Sequence, residues 1–361
     1  MARSFEAWEL GLENPLFIAG PCSVETPEQL EETVAGLVKQ GVKIIRGGVW
    51  KPRTRPGSFE GVGTIALPWI QEVKKKYGVK FAIEVANPSH VKQALDAEVD
   101  ILWIGARSTV NPFTVQEIAD SLRGVDIPIF VKNPVNPDLA LWIGALERLD
   151  QAGLKRIGAI HRGFSNFNDT TYRNSPMWQI PIELKTRFPE LPLINDPSHI
   201  CGKRDLLFEV SQMALDLDFD GLIIESHRDP DQAWSDAPQQ VTPEALGEML
   251  RKLKTRTINL DNPEFQYQLE QIRQQIDEVD RELLEVMTRR MNLVTQAGQF
   301  KKLNNVAIFQ IDRWKKVFKS RSEWAQAMQL NPEFVKELFR MIHSESISKQ
   351  KEIMEDKTSE K

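Results

Sequence analysis

Seven cationic side chains stand close to the ends of short apolar runs in the first half of the chain. They are Arg46, Lys51, Arg53, Arg55, Arg107, Lys132 and Arg162. Arginine forks bind phosphate and carboxylate through paired hydrogen bonds, and a lysine ammonium group binds the same anions as a point charge. So many like charges in one pocket would repel each other unless a polyanion neutralised them. If the runs converge, they predict a site for a phosphorylated ligand.

A second set of side chains has the chemistry of metal ligands. Cys22, His199, Glu225 and Asp236 offer a sulfur, an imidazole and two carboxylates. That mixture suits a divalent transition ion better than magnesium or calcium. A free cysteine is also often a small buried hydrophobe, and a single histidine is usually structural, so residue types alone leave both interpretations open.

Eight short runs rich in β-branched residues must position these groups. They cover residues 16–19, 43–46, 81–85, 101–104, 127–131, 156–160, 193–194 and 222–224. Eight strands alternating with helices over roughly 250 residues are typical of a (β/α)8 barrel, and an open doubly wound sheet is the alternative. Polar residues follow all eight runs, and only a barrel brings every carboxyl end to one mouth. The sequence therefore favours the TIM barrel.

Helix candidates lie between the runs, at 27–39, 111–122, 137–151, 204–215 and 243–253. Three dipeptides, Asn111-Pro112, Asn136-Pro137 and Thr242-Pro243, each combine an N-cap residue with a proline suited to the first helical position. They predict where three of the barrel helices begin.

Glycine and proline disappear near residue 257. Of 20 glycines and 21 prolines, only Gly298, Pro263 and Pro332 lie beyond that point. Both residue types serve turns and are disfavoured inside helices. The sequence therefore predicts a second, all-helical domain, with the barrel at 1–256, a linker at 257–263, helices at 264–351 and a charged tail at 352–361.

The first helix of that second domain is unusually long. Apolar residues step by three and four from Leu269 through Ile272 and Ile276 to Val286, and no breaker appears before Asn304. A helix of about forty residues cannot bury such a seam against two shorter helices, predicted at 311–328 and from 332 to about 350. The pattern predicts at least a homodimer formed through this domain.

Composition excludes several functions for the 361-residue chain. A net charge of −5 at pH 7 argues against a general nucleic-acid partner. The sequence contains no apolar run of about twenty residues, so it predicts no membrane span. The amino terminus does not resemble a signal peptide, and two cysteines cannot form a disulfide framework. We expect a cytoplasmic enzyme.

Five motifs in order resemble those of the 3-deoxy-D-arabino-heptulosonate 7-phosphate (DAHP) synthases, closest to their type I beta group. They are Ala19-Gly20-Pro21-Cys22-Ser23, Lys51-Pro52-Arg53-Thr54, Gly105-Ala106-Arg107, Asp196-Pro197-Ser198-His199 and Ile224-Glu225-Ser226-His227. The resemblance runs from about residue 15 to 255. It implies condensation of phosphoenolpyruvate with erythrose 4-phosphate at the start of the shikimate pathway.

The resemblance also implies a role for each matched residue. Cys22, His199, Glu225 and Asp236 correspond to the ligands of one divalent metal, which this donor set allows to be Mn, Fe, Co, Zn or Cd. The phosphoenolpyruvate side corresponds to Arg46, Lys51, Arg107, Lys132 and Arg162, and the erythrose 4-phosphate side to Arg53 and Thr54. Lys51 is the hypothetical proton donor to the developing alkoxide.

A sibling family is the closest alternative for the barrel. The 3-deoxy-octulosonate 8-phosphate synthases use phosphoenolpyruvate with a five-carbon sugar phosphate, and they typically have an Ala-Asn-Arg-Ser type of motif after the second strand. This chain has Lys51-Pro52-Arg53-Thr54, which favours the four-carbon aldehyde. A catalytically dead scaffold is disfavoured because the metal and anion residues are all present.

Residues 266–351 are similar to the all-helical AroQ chorismate mutases, which rearrange chorismate to prephenate. The resemblance assigns substrate binding to Arg273, Arg290, Lys301, Arg313 and Gln350, of which Arg290, Lys301 and Gln350 act in catalysis and Arg273 reaches into the partner's site. In this family the arginines clamp two carboxylates while Lys301 and Gln350 bond the ether oxygen.

Two positions depart from that family pattern. Trp314 stands where a glutamate is frequent, and Gln310 where an acidic residue is frequent, at positions that usually meet the substrate hydroxyl. Three interpretations follow for the domain: a working mutase, a sensor of prephenate or chorismate for the barrel, or a dimerisation module. We expect mutase activity, and we expect prephenate bound there to inhibit the synthase allosterically.

Overall fold

A computed structural model describes Trp8 and residues 15–51, 59–166, 171–256 and 262–355. The chain divides into two compact units, residues 1–258 and 259–361, which we call the barrel unit and the helical unit. Most of the predicted linker, at 257–261, lies outside the described residues.

The barrel unit closes as a ring of eight parallel strands in sequence order, which confirms the predicted fold class. The strands are β1 (Leu16–Gly20), β2 (Ile44–Arg46), β3 (Lys80–Val85), β4 (Ile101–Ile104), β5 (Ile129–Lys132), β6 (Ile157–His161), β7 (Leu193–Asn195) and β8 (Gly221–Glu225). Closure is made between β1 and β8, where Leu16 pairs with Gly221 and Gly20 with Glu225. Parallel pairing in a closed ring places all eight carboxyl ends at one mouth.

Ten helices of the described residues accompany these strands. They are α1 (Pro27–Lys39), α2 (Ala66–Tyr77), α3 (Pro88–Asp96), α4 (Ala106–Thr109), α5 (Pro112–Ser121), α6 (Leu139–Gln151), α7 (Gln179–Arg187), α8 (Pro197–Cys201), α9 (Leu207–Asp216) and α10 (Pro243–Lys252). Apolar residues of the strands and helices form one buried layer between them, and a second cluster fills the barrel interior. Trp8 closes that interior against Phe130, with ring centroids 5.0 Å apart.

Two of the three predicted helix starts are correct and one is wrong. Asn111 and Thr242 cap α5 and α10 as expected, each with a proline in the first turn. The third helix does not start at Pro137. Asp138 caps α6 instead, because its extended backbone lets the carboxylate accept a hydrogen bond from the Leu141 N–H at 2.9 Å. The Asn136 amide oxygen instead faces the Ser165 hydroxyl, 3.4 Å away.

The helical unit contains α11 (Pro263–Leu303), α12 (Ile311–Ala327) and α13 (Pro332–Glu355), close to the predicted bounds. Helix α13 packs against both α11 and α12. The amino-terminal half of α11 keeps its apolar seam exposed within this chain: Ile276 is 53% and Leu283 55% accessible. None of the described helices is both long enough and apolar enough to cross a membrane.

Candidate active sites

The mouth of the barrel collects most of the predicted chemistry because the strands end on those residues. Arg46 is the last residue of β2, Lys132 of β5 and Glu225 of β8. Cys22 follows β1 by two residues, and its N–H is fixed by a 3.0 Å hydrogen bond to the Gln240 amide oxygen. His199 lies in α8, directly after β7.

One polar pocket joins the two predicted sets of residues. Its walls are formed by Cys22, Arg46, Gly48, Trp50, Lys51, Glu84, Trp103, Arg107, His199 and Asp236. Two buried cations approach the ring of Trp103, with Arg46 Cζ 5.3 Å and Lys132 Nζ 5.7 Å from its centroid. Arg162 is also buried, and its nearest charged neighbours include Arg107 and Glu84. All five described cations of the predicted anion site therefore lie at this mouth.

The cluster carries an excess of positive charge. Among its described side chains, the cations Arg46, Lys51, Arg107, Lys132, Arg162 and Arg173 outnumber the carboxylates Glu84, Asp196, Glu225 and Asp236. Burial lowers the pKa of Arg162 to about 10, only partly offset by Asp196. The Nε and Nη1 atoms of Arg46 are buried and find no acceptor among the described residues. An anionic ligand would satisfy both groups.

The four candidate metal ligands line the same mouth in two pairs. The Cys22 thiol is 3.2 Å from Asp236 Oδ2, and His199 Nε2 is 3.8 Å from Glu225 Oε1. Lys51 Nζ lies 2.5 Å from Cys22 Sγ and 3.9 Å from Asp236 Oδ2. Among the described residues, no three His, Cys, Asp or Glu side chains lie close enough together to form a complete metal site.

The donor set nevertheless fits a transition metal. The Nδ1 atom of His199 lies 2.8 Å from Asp196 Oδ2 and its Nε2 atom faces Glu225, and burial lowers the pKa of this imidazole. Glu225 Oε1 is buried and accepts no hydrogen bond from the described residues, although Arg46 Nη2 is 3.1 Å away. Burial also raises the pKa of the Cys22 thiol to about 12, so a metal would have to displace its proton.

Further residues hold these candidate ligands in place. Asp196 is fully buried between Lys132 Nζ at 2.7 Å and the His199 ring. Burial alone would raise the pKa of Asp196, but the charges of His199 and Lys132 hold it well below its usual value. The Arg173 guanidinium contacts Asp236 Oδ1 at 2.8 Å and Gln239 Oε1 at 2.7 Å. Gln239 in turn donates to Glu225 Oε2 at 2.6 Å.

Sequence reasoning gave no role to Glu84, Arg173 or Gln239. Glu84 interrupts the apolar run at 81–85, a signal visible in the sequence, and its carboxylate accepts a 3.0 Å hydrogen bond from the Trp103 indole. Arg173 lies in a loop and Gln239 ends a short 3-10 helix, and sequence spacing carries no such signal at either position. The predicted sugar-phosphate residues Arg53 and Thr54 lie outside the described residues.

A second polar site lies between the helices of the helical unit. Arg290 Nη1 of α11 donates a hydrogen bond to Ser346 Oγ of α13 at 2.8 Å. Burial lowers the pKa of Arg290. Lys301 Nζ donates to the Ile308 carbonyl oxygen at 2.5 Å. Gln350 is buried on α13, and its Oε1 atom finds no donor among the described residues.

The other two predicted residues of this site are exposed. Arg273 lies on α11 with 63% of its side chain accessible and Glu270 3.8 Å away. Arg313 stands at the start of α12, where its charge acts on Arg321. Within one chain, Arg290 contacts Ser346, one turn before Gln350 on α13, and the charges of Arg290 and Lys301 both lower the pKa of His343 on the same helix. Arg273 lies on α11 well before Arg290.

A closed parallel barrel with buried cations and metal-capable side chains at its mouth defines an enzyme of the TIM-barrel class that binds anionic substrates. Its family is also clear: the chain belongs to the DAHP synthetase I family, whose model matches residues 6–262. Residues 272–351 match the model of chorismate mutase type II, so the chain is a fusion of these two enzyme families.

Known relatives cover the barrel. The chain is 34% identical over 237 residues to a phospho-2-dehydro-3-deoxyheptonate aldolase of Thermotoga maritima, covering 66% of this chain and 68% of that protein. A crystal structure of the DAHP synthase from the same organism superposes with a TM-score of 0.60 at 31% identity, covering 66% of this chain and 67% of that one. A 2-dehydro-3-deoxyphosphooctonate aldolase of Thioalkalivibrio sulfidiphilus is 28% identical over 270 residues, 69% of this chain and 92% of its own.

Proposed function

We propose that the barrel unit condenses phosphoenolpyruvate with erythrose 4-phosphate to give DAHP and inorganic phosphate. The observation that carries this proposal is the convergence of buried Arg46, Lys132 and Arg162 at one barrel mouth, with two Arg46 nitrogens awaiting an acceptor. Phosphoenolpyruvate carries a phosphate and a carboxylate on a small frame, and it matches such a concentration of cations. Arg53 and Thr54 of the 52–58 segment would bind the aldehyde's phosphate.

A divalent transition metal completes the proposed site. Cys22, His199, Glu225 and Asp236 would hold it, and Mn, Fe, Co, Zn and Cd all tolerate these donors. When bound, it supplies Lewis acidity toward the aldehyde oxygen or orients a water. Metal dependence is tested by removing metal with a chelator, measuring turnover, and restoring each ion separately. Full turnover of rigorously metal-free protein would contradict the proposal.

Lys51 is the proposed proton donor. Carbon 3 of phosphoenolpyruvate forms a bond to the aldehyde carbon, and the aldehyde oxygen takes a proton from the Lys51 ammonium group. Water then adds at carbon 2, and its oxygen becomes the ketone oxygen of the product. One of its protons returns to Lys51, and the other leaves with inorganic phosphate as the bond from carbon 2 to the phosphate oxygen breaks. Lys51→Met should abolish turnover while metal content stays near that of the exposed control Lys75→Met. Retained turnover would remove Lys51 from the mechanism.

The identity of the aldehyde separates this proposal from its sibling reaction. Parallel assays with erythrose 4-phosphate and arabinose 5-phosphate, each with phosphoenolpyruvate, measure phosphate release. We expect erythrose 4-phosphate to be preferred strongly in kcat/KM, since Lys51-Pro52-Arg53-Thr54 departs from the octulosonate motif. A preference for the five-carbon sugar would reassign the barrel.

We propose that the helical unit rearranges chorismate to prephenate. Arg290 and Arg313 would bind the two carboxylates, Lys301 and Gln350 the ether oxygen, and Arg273 of a second copy would complete the site. Arg290→Ala in the full chain should reduce chorismate turnover at least about 100-fold, as expected when a charged hydrogen bond to the transition state is lost. The neighbouring exposed Arg289→Ala is the matched control. Wild-type protein without mutase activity would leave a sensor or a dimerisation module.

The proposed homodimer forms through the apolar seam of α11. Ile272, Ile276, Val279, Leu283 and Val286 are between 49% and 62% accessible, and they occupy one face of the helix. A second copy would bury this face and bring Arg273 to the site. Leu283→Glu should produce monomers in analytical ultracentrifugation and lose mutase activity, whereas Glu282→Gln should remain dimeric. If Leu283→Glu formed dimers of unchanged stability, the dimer would not form through this seam.

Prephenate is the proposed feedback inhibitor of the synthase. Its two carboxylates suit the same arginines, so prephenate made by the helical unit can bind there and inhibit the synthase of the barrel unit. We expect prephenate to lower synthase activity in the wild type and to have a much weaker effect in Arg290→Ala. Synthase kinetics that do not respond to prephenate would refute this regulation.

A further inference from the structure

One face of α13 carries three polar side chains at helical spacing. His343, Ser346 and Gln350 are separated by three and four residues, so they lie in one row along the helix. Ser346 in the middle of the row accepts the hydrogen bond from Arg290 of α11. The row therefore borders the cationic site proposed for chorismate, and His343 is its one member with no assigned role.

Aromatic contacts fix the ring of His343. Its imidazole stacks on the Trp314 indole of α12, with centroids 3.7 Å apart and planes 23° apart. Phe309 approaches the same ring at 6.1 Å and 60°. Two aromatic neighbours thus hold the imidazole in one orientation before any ligand arrives, which is the preorganisation that a binding group requires.

The polar end of that ring lacks a partner among the described residues. His343 Nε2 is buried and makes no hydrogen bond there. A buried nitrogen without a hydrogen bond is unfavourable, so its placement points to a ligand that supplies the missing bond. Gln350 Oε1, seven residues further along the row, is unsatisfied in the same way.

The charges around His343 favour its neutral form. Burial lowers the pKa of the ring, and Arg290 and Lys301 of α11 lower it further by repulsion. A neutral imidazole offers one lone pair and one N–H and suits a hydroxyl group, whereas the surrounding cations suit carboxylates. Chorismate carries two carboxylates, an ether oxygen and one ring hydroxyl, and the first three are already matched by the other residues.

We propose that His343 binds the ring hydroxyl of chorismate through Nε2 and is a specificity-determining residue of the mutase site. This assignment rests on the mutase function proposed above. It also explains how the site tolerates Trp314 and Gln310, because Trp314 positions the histidine that provides the polar contact. Trp314 acts through His343 and is a positioning residue.

The test compares two substitutions in the full chain. His343→Phe keeps a flat ring against Trp314 and removes the polar atom, and His343→Gln restores an amide near the position of Nε2. We expect His343→Phe to lower kcat/KM for chorismate about 10- to 100-fold, and His343→Gln to recover most of that loss. Glu345→Gln, on the exposed face of α13, is the matched control, and thermal unfolding verifies that each variant is folded.

A chorismate analogue with hydrogen in place of the hydroxyl makes the test specific. With this analogue, wild type and His343→Phe should turn over equally, because the group that His343 binds is gone. An equal loss on both substrates, or no loss on chorismate, would overturn the role of His343 while leaving the mutase function in place. Wild-type protein that does not convert chorismate would overturn both, so the two failures are distinguishable.

Discussion

Gln239 provides a direct test of how the barrel orients its candidate metal ligands. The side chain is buried, accepts from Arg173 at 2.7 Å and donates to Glu225 at 2.6 Å. Gln239→Leu keeps a similar volume and removes both hydrogen bonds. Arg173 retains its 2.8 Å contact with Asp236, so the main loss falls on Glu225.

The expected magnitude follows from the type of bond. A hydrogen bond to a charged group contributes about 1.5–3 kcal/mol. Since 1.4 kcal/mol corresponds to a factor of ten in affinity, Gln239→Leu should weaken metal binding about 10- to 100-fold. Loss of a residue that orients a metal ligand typically has effects of this size. Glu225 keeps its ion pair with Arg46, so we expect binding to be weakened and not abolished.

Calorimetric titration of metal-free full chain with Mn²⁺ or Cd²⁺ measures the dissociation constant directly. The control is Gln232→Leu, because Gln232 is exposed in the same strand-to-helix connection. Gln239→Glu is a second variant: it keeps an acceptor for Arg173 but places a carboxylate against Glu225, and like charges so close resist joint ionisation. We expect it to weaken metal binding as well. Unchanged dissociation constants in both Gln239 variants would refute the reasoning.

Three further substitutions test the barrel. Asp196→Asn leaves Lys132 without its buried counter-ion and should cost about 3–5 kcal/mol in the free energy of unfolding measured with urea; a loss below about 1 kcal/mol would contradict the pair's importance. Burial lowers the pKa of His161 to about 3, so below about pH 6.5 the unfolded chain takes up a proton that the folded chain refuses, and stability falls as pH falls. In urea titrations, His161→Gln should make the free energy of unfolding depend less on pH between about pH 6 and 4. An unchanged dependence on pH would show that other groups cause the loss of stability. Gly105→Ala would place a Cβ 2.1 Å from Glu84 Oε1 and should displace that carboxylate. We expect synthase turnover to fall at least about tenfold with little change in Tm. Normal kinetics would show that synthase activity does not depend on the position of the Glu84 carboxylate.

The elements of both units were predictable because each has a strong local signal. Buried parallel strands appear as short apolar runs, and α11 appears as an unbroken period of three and four residues. Local signals failed where two residues competed for one role. Asn136 and Asp138 are both good N-caps, and only the backbone conformation of the folded loop selects Asp138.

The candidate sites were predictable in their membership but not in their contacts. The polar ends of eight strands indicated which side chains converge, and the cations of the mouth lie together as expected. Gln239 and Arg173 were not foreseen, since their contacts with Glu225 and Asp236 form only when the connections between the strands fold over the mouth. The role of His343 likewise depends on its stacking against Trp314, 29 positions earlier in the chain.

The two architectures, the change between them near residue 257 and the chemical types gathered at each site all follow from the order of the amino acids alone. Periodicity and turn composition are local properties, so they can be recognised before the fold is known. Which atoms meet depends on the folded domain as a whole: Lys51 lies beside Cys22, Asp196 lies 2.8 Å from the His199 ring, and nitrogens of Arg46 and His343 are left without a hydrogen bond. Hydrogen bonds act over about 3 Å, and positions at that precision are set by the packing of the whole domain.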